Sequence, residues 1–279
     1  MVTTRHSNRY TDYAVSSLVE NTKLEPGDQV IVIDNDQAYA GLPESCRDRV
    51  ILRVNPKPLS FAANMNQIME LAGEQKADLV FVNNDIVFSP RWFDAIRPSG
   101  PFITSPLSNA ELPYTGGQFE CKYEMDIEDY LGNERRFREI VRDHQTRYAG
   151  YLVVLFLTFF AVKIPYEVFS VVGRLDETFG IGGGEDKDYC IRCHEQGIPL
   201  RYALPSYVLH FHGKSTWRGA ETKDQMDARN RAYTERFKQK WGDALFEAFI
   251  YMETKNLPQD AQRAYEQGDY RRMVGLLKP

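Results

Sequence analysis

The chain has 279 residues, of which 43% are hydrophobic and 26% are charged, an ordinary composition for a soluble globular protein. This length can bury the core of one large α/β domain, with or without a helical appendage. The formal net charge of -5 gives no electrostatic argument for a nucleic-acid partner, although it is compatible with a local basic groove that binds a diphosphate.

Neither a membrane anchor nor a secretory signal is evident in the sequence. The longest apolar run, residues 151–162, is shorter than the roughly 20 residues that span a bilayer. No charged-then-apolar signal opens the chain. We therefore expect a cytoplasmic protein with no transmembrane segment and with reduced thiols at its four cysteines, and peripheral contact with a membrane stays open.

The first half of the chain alternates strand and helix patterns. Residues 2–4 are either a very short first strand or the remnant of a start that lies upstream. Further strands are predicted at 30–33, 50–54 and 79–82, with helical patterns at 13–18 and 62–72. This alternation predicts an α/β fold with a mostly parallel central sheet flanked by helices. Ligands of such sheets bind at the carboxyl ends of the strands, where Asp34 and Asp85 lie.

The second half is less regular. It is predicted to contain loop and short strand at 98–115, a charged helix at 126–148, a long core strand at 152–164, and helices at 224–241 and 246–252. The charged helix is either a solvated helix over the sheet or a mobile segment on the acceptor side. The tail, 260–270, resembles half of a tetratricopeptide unit. A half-repeat cannot stack into a solenoid, so we expect a helical hairpin packed on the main domain. The predicted boundary divides a domain at 1–217 from a C-terminal helical extension at 218–279.

Asn83, Asn84 and Asp85 follow an apolar strand and are candidates for a metal site. A nucleoside diphosphate carries charge that must be neutralised before it can leave, and Mg²⁺ or Mn²⁺ does this through carboxylate and water oxygens. Such triplets are also common in turns, so alone they are weak signals.

A second cluster consists of three glycines followed by Glu185 and Asp186. Consecutive glycines let the backbone approach a ligand closely, here through Gly183 and Gly184. A carboxylate at the start of the following helix can deprotonate an acceptor hydroxyl. We expect Asp186 to be that base, with Glu185 orienting the acceptor or acting as a second base. Helix capping is the alternative role for both.

The third cluster follows a predicted strand and contains His210, His212, Lys214 and Ser215. Alternation puts both histidines on one side of an extended segment, where a neutral imidazole can complete a metal shell. A pair of structural histidines is the alternative. Lys214 and Ser215 are candidates for contact with a phosphate.

In this order the motifs resemble those of family-2-type glycosyltransferases with a GT-A fold, over residues 2–217. The matching positions are the strand that ends at Asp34, the helix start with Asn66, the Asp-x-Asp position at 83–85, the Gly-x-x-Asp-Glu-x-Phe segment at 173–179, the Glu-Asp helix at 184–192, and the metal-binding histidine at His210.

The resemblance implies a metal-dependent glycosyltransferase that moves a sugar from a nucleotide donor to a hydroxyl acceptor with inversion, and a UDP-sugar is the first candidate for the donor. It implies that Asp34 contacts the base and that Asp85 holds Mn²⁺ or Mg²⁺ with one of the two histidines, of which His210 is preferred. The other expected donor-site residues are Thr4, Arg5, Asn66, Asn83, Asn84, Gly183, Gly184, Lys214 and Ser215.

Departures from the pattern keep other functions open. Asn83 replaces the first aspartate of Asp-x-Asp, and Ser60 stands where glycine is common. These departures and the short first strand suggest, as the alternative, a catalytically degenerate GT-A domain that binds a nucleotide or glycan without turnover. A nucleotidyltransferase would normally have a Gly-rich basic loop near its first strand, and none is visible. The pattern from Cys190 to His194 matches c-type haem attachment, but we expect core packing there, with a redox or zinc pair as a further alternative.

Overall fold

The computed structural model describes residues 1–109, 125–214 and 221–279. Its first half contains β1 (Val2–Thr3), α1 (Asn8–Asn21), β2 (Val30–Asp34), β3 (Val50–Val54), α2 (Phe61–Gln75), β4 (Leu79–Val82), β5 (Ile86–Val87) and β6 (Ile103–Ser108). Its second half contains α3 (Ile127–Leu131), α4 (Glu134–Arg147), β7 (Tyr151–Val154), β8 (Ala161–Ile164), α5 (Tyr166–Val172), α6 (Glu185–Glu195), β9 (Leu200–His210), α7 (Lys223–Phe249), α8 (Gln259–Glu266) and α9 (Tyr270–Leu277).

A three-stranded parallel sheet forms from β1, β2 and β3. The β-branched run of β2 lies in the middle of this sheet, with Val32 and Ile33 fully buried, as expected for a strand covered on both faces. β1 pairs Val2 with Ile33 and Thr3 with Asp34, so the residues at 2–4 do begin with a very short strand. The parallel arrangement predicted from the alternating pattern is confirmed for this part of the molecule.

The larger sheet has the order β4–β8–β6–β9–β5, with β7 also paired to β9. Among the described residues, four of its five pairings are antiparallel and only β6 and β9 run parallel. The α/β fold with a central sheet flanked by helices is confirmed, but the expectation that this sheet is mostly parallel is wrong for its larger part.

The predicted core strand at 152–164 is two strands with different partners. β7 pairs with β9, whereas β8 pairs with β4 and β6, and residues 155–160 between them are not in a strand. A continuous apolar run does not reveal the break, because the connecting residues are themselves largely buried.

Helices complete the fold. The charged segment at 126–148 forms α3 and α4, and α4 buries Phe137, Val141 and His144 while its other faces are polar. α7 is interrupted at Gly242, whose φ of 81° is not helical. The predicted helical hairpin at the tail is confirmed as α8 and α9, and its apolar residues join the main hydrophobic core. No helix of the described residues is long and apolar enough to cross a bilayer.

Cys46, Cys190 and Cys193 are free and buried, and Cys121 lies outside the described residues. The predicted boundary between 217 and 218 falls among residues 215–220, outside the described residues, and stays a prediction.

Candidate functional site

A cavity of about 260 Å³ opens at the carboxyl ends of β1, β2 and β4. It is lined by Val2, Thr4, His6, Asn35, Asp36, Pro58, Leu59, Phe61, Asn64, Phe81, Asn83 and Ile181. Apolar side chains from several strands and helices therefore surround a small set of polar groups, the usual composition of a small-molecule site.

Asp85 and His210 are brought together beside this cavity. Asp85 precedes β5 and His210 ends β9, and these two strands pair with Ile86 opposite His210. Oδ1 of Asp85 lies 3.3 Å from Nε2 of His210, and both side chains are buried. The backbone N–H of Lys214 donates to the other carboxylate oxygen at 2.9 Å.

The imidazole of His210 is held in place by its neighbours. Its ring stacks on Phe160, with centroids 4.9 Å apart and planes 16° apart. The side-chain amide of Asn109 accepts from the backbone N–H of His210 and donates to its carbonyl, at 2.8 and 3.1 Å. A ring fixed on both its face and its backbone is preorganised to present Nε2 toward Asp85.

The pair fits two ligands of one divalent ion. Nitrogen and oxygen ligands bind such ions at about 2.0–2.2 Å, so neighbouring ligands of one ion lie about 3 Å apart. The observed 3.3 Å between carboxylate oxygen and imidazole nitrogen agrees with this spacing. Within residues 1–109, 125–214 and 221–279, no group of three or more His, Cys, Asp or Glu side chains forms a fuller set of metal ligands.

His212 lies near this pair but differs in its surroundings. It is exposed, its φ is 49°, and its ring centroid is 5.6 Å from that of His210. Lys214 is exposed and contacts Asp85 through its backbone N–H. Ser215 lies outside the described residues.

The two asparagines before Asp85 have different environments. Asn83 lines the cavity. Asn84 is fully buried, and its amide donates to Oγ of Ser7 at 2.7 Å and to Oγ1 of Thr11 at 2.8 Å. The structure therefore places Asn84 between the loop at 83–85 and α1, outside the cavity lining.

Asp34, which is expected to contact the nucleobase of the donor, is buried beneath the loop that follows β2. Its carboxylate accepts from the backbone N–H groups of Asp36, Ala38 and Tyr39 at 3.1–3.3 Å. Asp36, two residues later, lines the cavity together with Thr4. The Asp36 carboxylate accepts from the backbone N–H and from Nε of the exposed Arg5, the latter at 2.9 Å.

Asn66 holds a neighbouring segment in place. Its side chain exchanges hydrogen bonds with the backbone of Leu175 and donates to Glu177 at 2.7 Å. It is buried and is not among the cavity-lining residues, whereas Asn64, two residues earlier on α2, is.

The glycine cluster lies where α7 approaches the start of α6. A Cβ added at Gly183 would come within 2.7 Å of the Tyr233 ring, and one at Gly184 within 3.3 Å of Phe179. Both glycines have positive φ, at 129° and 83°. Close packing and backbone conformation therefore both require glycine here, independently of any ligand.

The same loop reaches the cavity through Ile181. The backbone N–H of Phe61 donates to the Ile181 carbonyl at 3.3 Å, and both residues line the cavity. The loop that leads into Glu185 and Asp186 is thereby connected to the candidate donor pocket.

Glu185 and Asp186 occupy different environments at the start of α6. Glu185 is buried and accepts from the backbone N–H of Gly183. Burial, with a smaller contribution from the charge of Asp186, raises the pKa of Glu185 to about 7. Asp186 is partly exposed, and its carboxylate contacts the backbone N–H of Lys187 at 2.8 Å and Nζ of Lys187 at 3.3 Å.

Sequence reasoning missed several cavity residues, namely His6, Asn35, Asp36, Asn64, Phe61 and Ile181. Two of these, Asn35 and Asn64, are joined by a hydrogen bond that Asn64 donates at 3.1 Å. The buried Asn55 lies behind them and donates to both at 2.8 Å. Their positions just after strands or at a helix start were the available signal, but nothing in the sequence shows that they converge.

The haem-like motif from Cys190 to His194 is packed internally, since buried His194 contacts the Leu155 carbonyl and both cysteines lie in the core.

The mixed sheet, its flanking helices and the site at the strand ends define a GT-A fold. Among solved structures, the chain is similar to GalNAc-T7 crystallised with UDP, GalNAc and Mn²⁺, with a TM-score of 0.55 and 17% sequence identity. The match covers 94% of this chain and 51% of that one, so this chain spans about half the length of GalNAc-T7 in that structure.

A second similar structure is S. aureus TarS 1-349, with a TM-score of 0.48 and 9% identity over 98% of this chain and 80% of that one. No protein-family model and no curated protein matches the sequence.

Proposed function

We propose that this protein is a metal-dependent glycosyltransferase that moves a sugar from a nucleoside diphosphate donor to an acceptor hydroxyl. The observation that carries the proposal is the buried Asp85–His210 pair, 3.3 Å apart, beside a cavity that Asn83 lines. This arrangement provides two ligands for an ion and an adjacent space for a nucleotide.

Asp85 and His210 would hold the ion, with Asn83 near enough in sequence to offer a neutral amide oxygen. When bound, the ion neutralises charge on the diphosphate leaving group. The nucleoside would occupy the cavity, where Asp36 and Thr4 offer hydrogen-bonding groups between the apolar walls of Phe61 and Phe81. Because GalNAc-T7 was crystallised with UDP and Mn²⁺, these are the first nucleotide and ion to test.

Asp186 would accept the proton of the acceptor hydroxyl, and a single displacement would invert the anomeric carbon. Its partial exposure lets an acceptor reach it, and its carboxylate lies 3.3 Å from Nζ of Lys187. The buried Glu185, whose pKa is raised, would remain largely protonated below neutral pH and orient the acceptor by donating a hydrogen bond.

The first test is a thermal-shift titration of the purified protein with UDP, with Mn²⁺, and with both. Because a ligand that binds only the folded state stabilises it by mass action, we expect UDP with Mn²⁺ to raise the melting temperature more than either alone. The extra shift should disappear in Asp85→Asn and His210→Gln.

The matched control is Asp94→Asn, which removes an exposed carboxylate that is paired with Arg91 and does not line the cavity. It should retain the full UDP and Mn²⁺ shift. A metal-independent shift, or no loss in the Asp85 and His210 variants, would remove the basis of the proposed metal site.

A second test separates catalysis from binding. Asp186→Asn is nearly isosteric and keeps a polar side chain, so we expect it to retain the UDP and Mn²⁺ shift while transfer falls by at least about 100-fold, the usual size of a general-base contribution. Transfer by the purified variant at the wild-type rate would exclude Asp186 as the base.

One observation favours a second candidate, a GT-A domain that binds a nucleotide or glycan without turnover. Asn83 lines the cavity at the position where the resemblance implies an aspartate. Because asparagine is uncharged, less negative charge is available to bind an ion. Metal-dependent hydrolysis of a UDP-sugar separates the two candidates, because a degenerate domain would show the thermal shift without releasing UDP.

A further inference from the structure

Three aromatic side chains form a continuous cluster beside the candidate metal ligands. The ring centroid of Phe211 lies 5.5 Å from that of Tyr10 on α1 and 6.5 Å from that of Tyr130 on α3. Tyr130 in turn meets the buried Phe137 of α4 at 5.9 Å, with the two planes 77° apart. These residues come from four separate parts of the chain, and none of the first three lines the cavity described above.

The cluster is directly connected to the candidate site. Phe211 lies between His210 and His212, and its backbone N–H donates to the carbonyl of Asp85 at 2.9 Å. Burial raises the pKa of Tyr10, whose ring packs against that of Phe211.

One side of the cluster is supported by the core and the other is accessible. Tyr130 and Phe211 pack against the main hydrophobic core, yet all three rings remain partly exposed. Arg9 and Glu128, the charged pair on the same two helices, already neutralise each other. The accessible surface therefore combines apolar ring faces with two phenolic hydroxyls, beside one pair of opposite charges.

This chemistry matches a neutral sugar ring. A pyranose has apolar faces formed by its C–H groups, which pack on aromatic rings, and hydroxyls at its edge that require hydrogen-bond partners. A phosphate-rich ligand would instead need unpaired basic groups, and Arg9, which precedes Tyr10 on α1, is committed to Glu128.

We propose that Tyr10, Phe211 and Tyr130 form a subsite for a neutral carbohydrate acceptor, separate from the nucleotide cavity. This inference rests on the proposed function, because a glycosyltransferase needs an acceptor site next to its donor site. It adds the acceptor's chemical class: a neutral pyranose-containing glycan bound by ring stacking.

The experiment measures binding of the full chain to a printed array of neutral and anionic oligosaccharides, in the presence of UDP and Mn²⁺. Tyr10→Leu and Tyr130→Leu are the test variants, because leucine preserves apolar packing on the core but removes the flat ring and the hydroxyl. Tyr251→Leu is the matched control, since Tyr251 is 58% exposed at the other end of the chain. Tyr10→Phe and Tyr130→Phe retain the ring.

We expect wild type and Tyr251→Leu to bind neutral glycans, the two test variants to bind at least tenfold more weakly, and the phenylalanine variants to keep most of the binding. All variants should retain the UDP and Mn²⁺ thermal shift, which also shows that they are folded. Unchanged glycan binding in the test variants, binding to anionic glycans alone, or no glycan binding by a wild type that still binds UDP overturns the subsite. Absence of the UDP and Mn²⁺ shift in wild type would instead count against the proposed function itself.

Discussion

At the scale of single residues, Glu185 and Asp186 illustrate how position alone can separate the roles of two adjacent acids. Helix geometry turns successive side chains by about 100°, so one carboxyl points into the protein and the next toward its surface. Glu185 is 6% exposed, and burial raises its pKa, while Asp186 stays accessible beside Lys187. Two acids in such different environments can hold and accept a proton at the same pH.

The raised pKa of Glu185 predicts a pH dependence of stability. The carboxyl titrates at about 7 in the folded protein against 4.5 in the unfolded chain. Between these pH values the folded state keeps a proton that the unfolded state has lost, so the free energy of unfolding falls as pH rises through this window. The slope from this group is up to about 1.4 kcal/mol per pH unit.

Urea unfolding of wild type and Glu185→Gln across this window tests the prediction. Glutamine does not titrate, so the variant should lose less stability than wild type between pH 4.5 and about 7. Glu139→Gln is the control, because Glu139 is an exposed partner of Arg135 on α4. Equal pH slopes in wild type and Glu185→Gln would show that burial does not hold the proton on Glu185.

The residue scale is also where prediction from sequence is least complete. The strand ending at Asp34 was predicted, and so was the ligand site beyond it, yet the structure commits the Asp34 carboxylate to three backbone N–H groups and turns Asp36 to the cavity. Asn84 and Asn66 likewise hold neighbouring segments through short polar contacts. A motif gives the position of such residues along the chain, but their partners depend on the tertiary fold.

At the scale of elements, the orientation of α6 is fixed by a buried ionic network. Asp188, fully buried, accepts from Arg192 Nε at 2.9 Å and from Trp241 Nε1 at 2.8 Å, and it pairs with Nζ of Lys240. Lys240 also reaches Asp176, which precedes the glycine cluster. Burial alone would raise the pKa of Asp176, but hydrogen bonds from Lys240 and Thr178 outweigh it and hold that pKa well below its usual range.

We expect Asp188→Asn to destabilise the protein by about 3 kcal/mol. The substitution keeps the size of the side chain but removes the buried negative charge that Arg192 and Lys240 share. Loss of one partner of a buried ion pair typically lowers the free energy of unfolding by this amount. The measurement is the free energy of unfolding in urea. Asp94→Asn, which breaks an exposed pair, should change it by less than about 1 kcal/mol, and a similar effect of both substitutions would contradict the structural role of the network.

Strand positions were predictable from local pattern, whereas strand direction was not. Short runs rich in β-branched and other apolar residues predict the positions of β2, β3 and β4 closely. The direction of pairing depends on connections between distant segments. β9, eleven residues long, pairs with β5, β6 and β7, and no local pattern in its sequence indicates three partners.

At the scale of the whole molecule, the C-terminal hairpin supports the helix that carries the candidate catalytic acids. Met273 and Val274 of α9 are buried in the main core, and the ring of Tyr270 lies 5.4 Å from that of His194 on α6. Lys278 pairs with Glu195 at the end of α6, and its Nζ lies 5.3 Å from the Trp241 ring. From these contacts we expect the hairpin to unfold together with the sheet domain.

Two adjacent leucines of α9 allow a direct test of whether the hairpin and the sheet domain unfold together. Leu277 is 6% exposed and belongs to the main core, whereas Leu276 is 46% exposed. Leu277→Ala should lower the free energy of unfolding by about 2–4 kcal/mol, through lost burial and the cavity that remains. Leu276→Ala should lower it by less than about 1 kcal/mol, although both substitutions remove the same atoms from the same helix.

Circular dichroism and tryptophan fluorescence should report one coincident transition for both variants, because Trp241 lies at the interface between the hairpin and α6. A separate early transition in circular dichroism for Leu277→Ala, with the fluorescence transition unchanged, would mean that the hairpin unfolds independently and does not stabilise the candidate site.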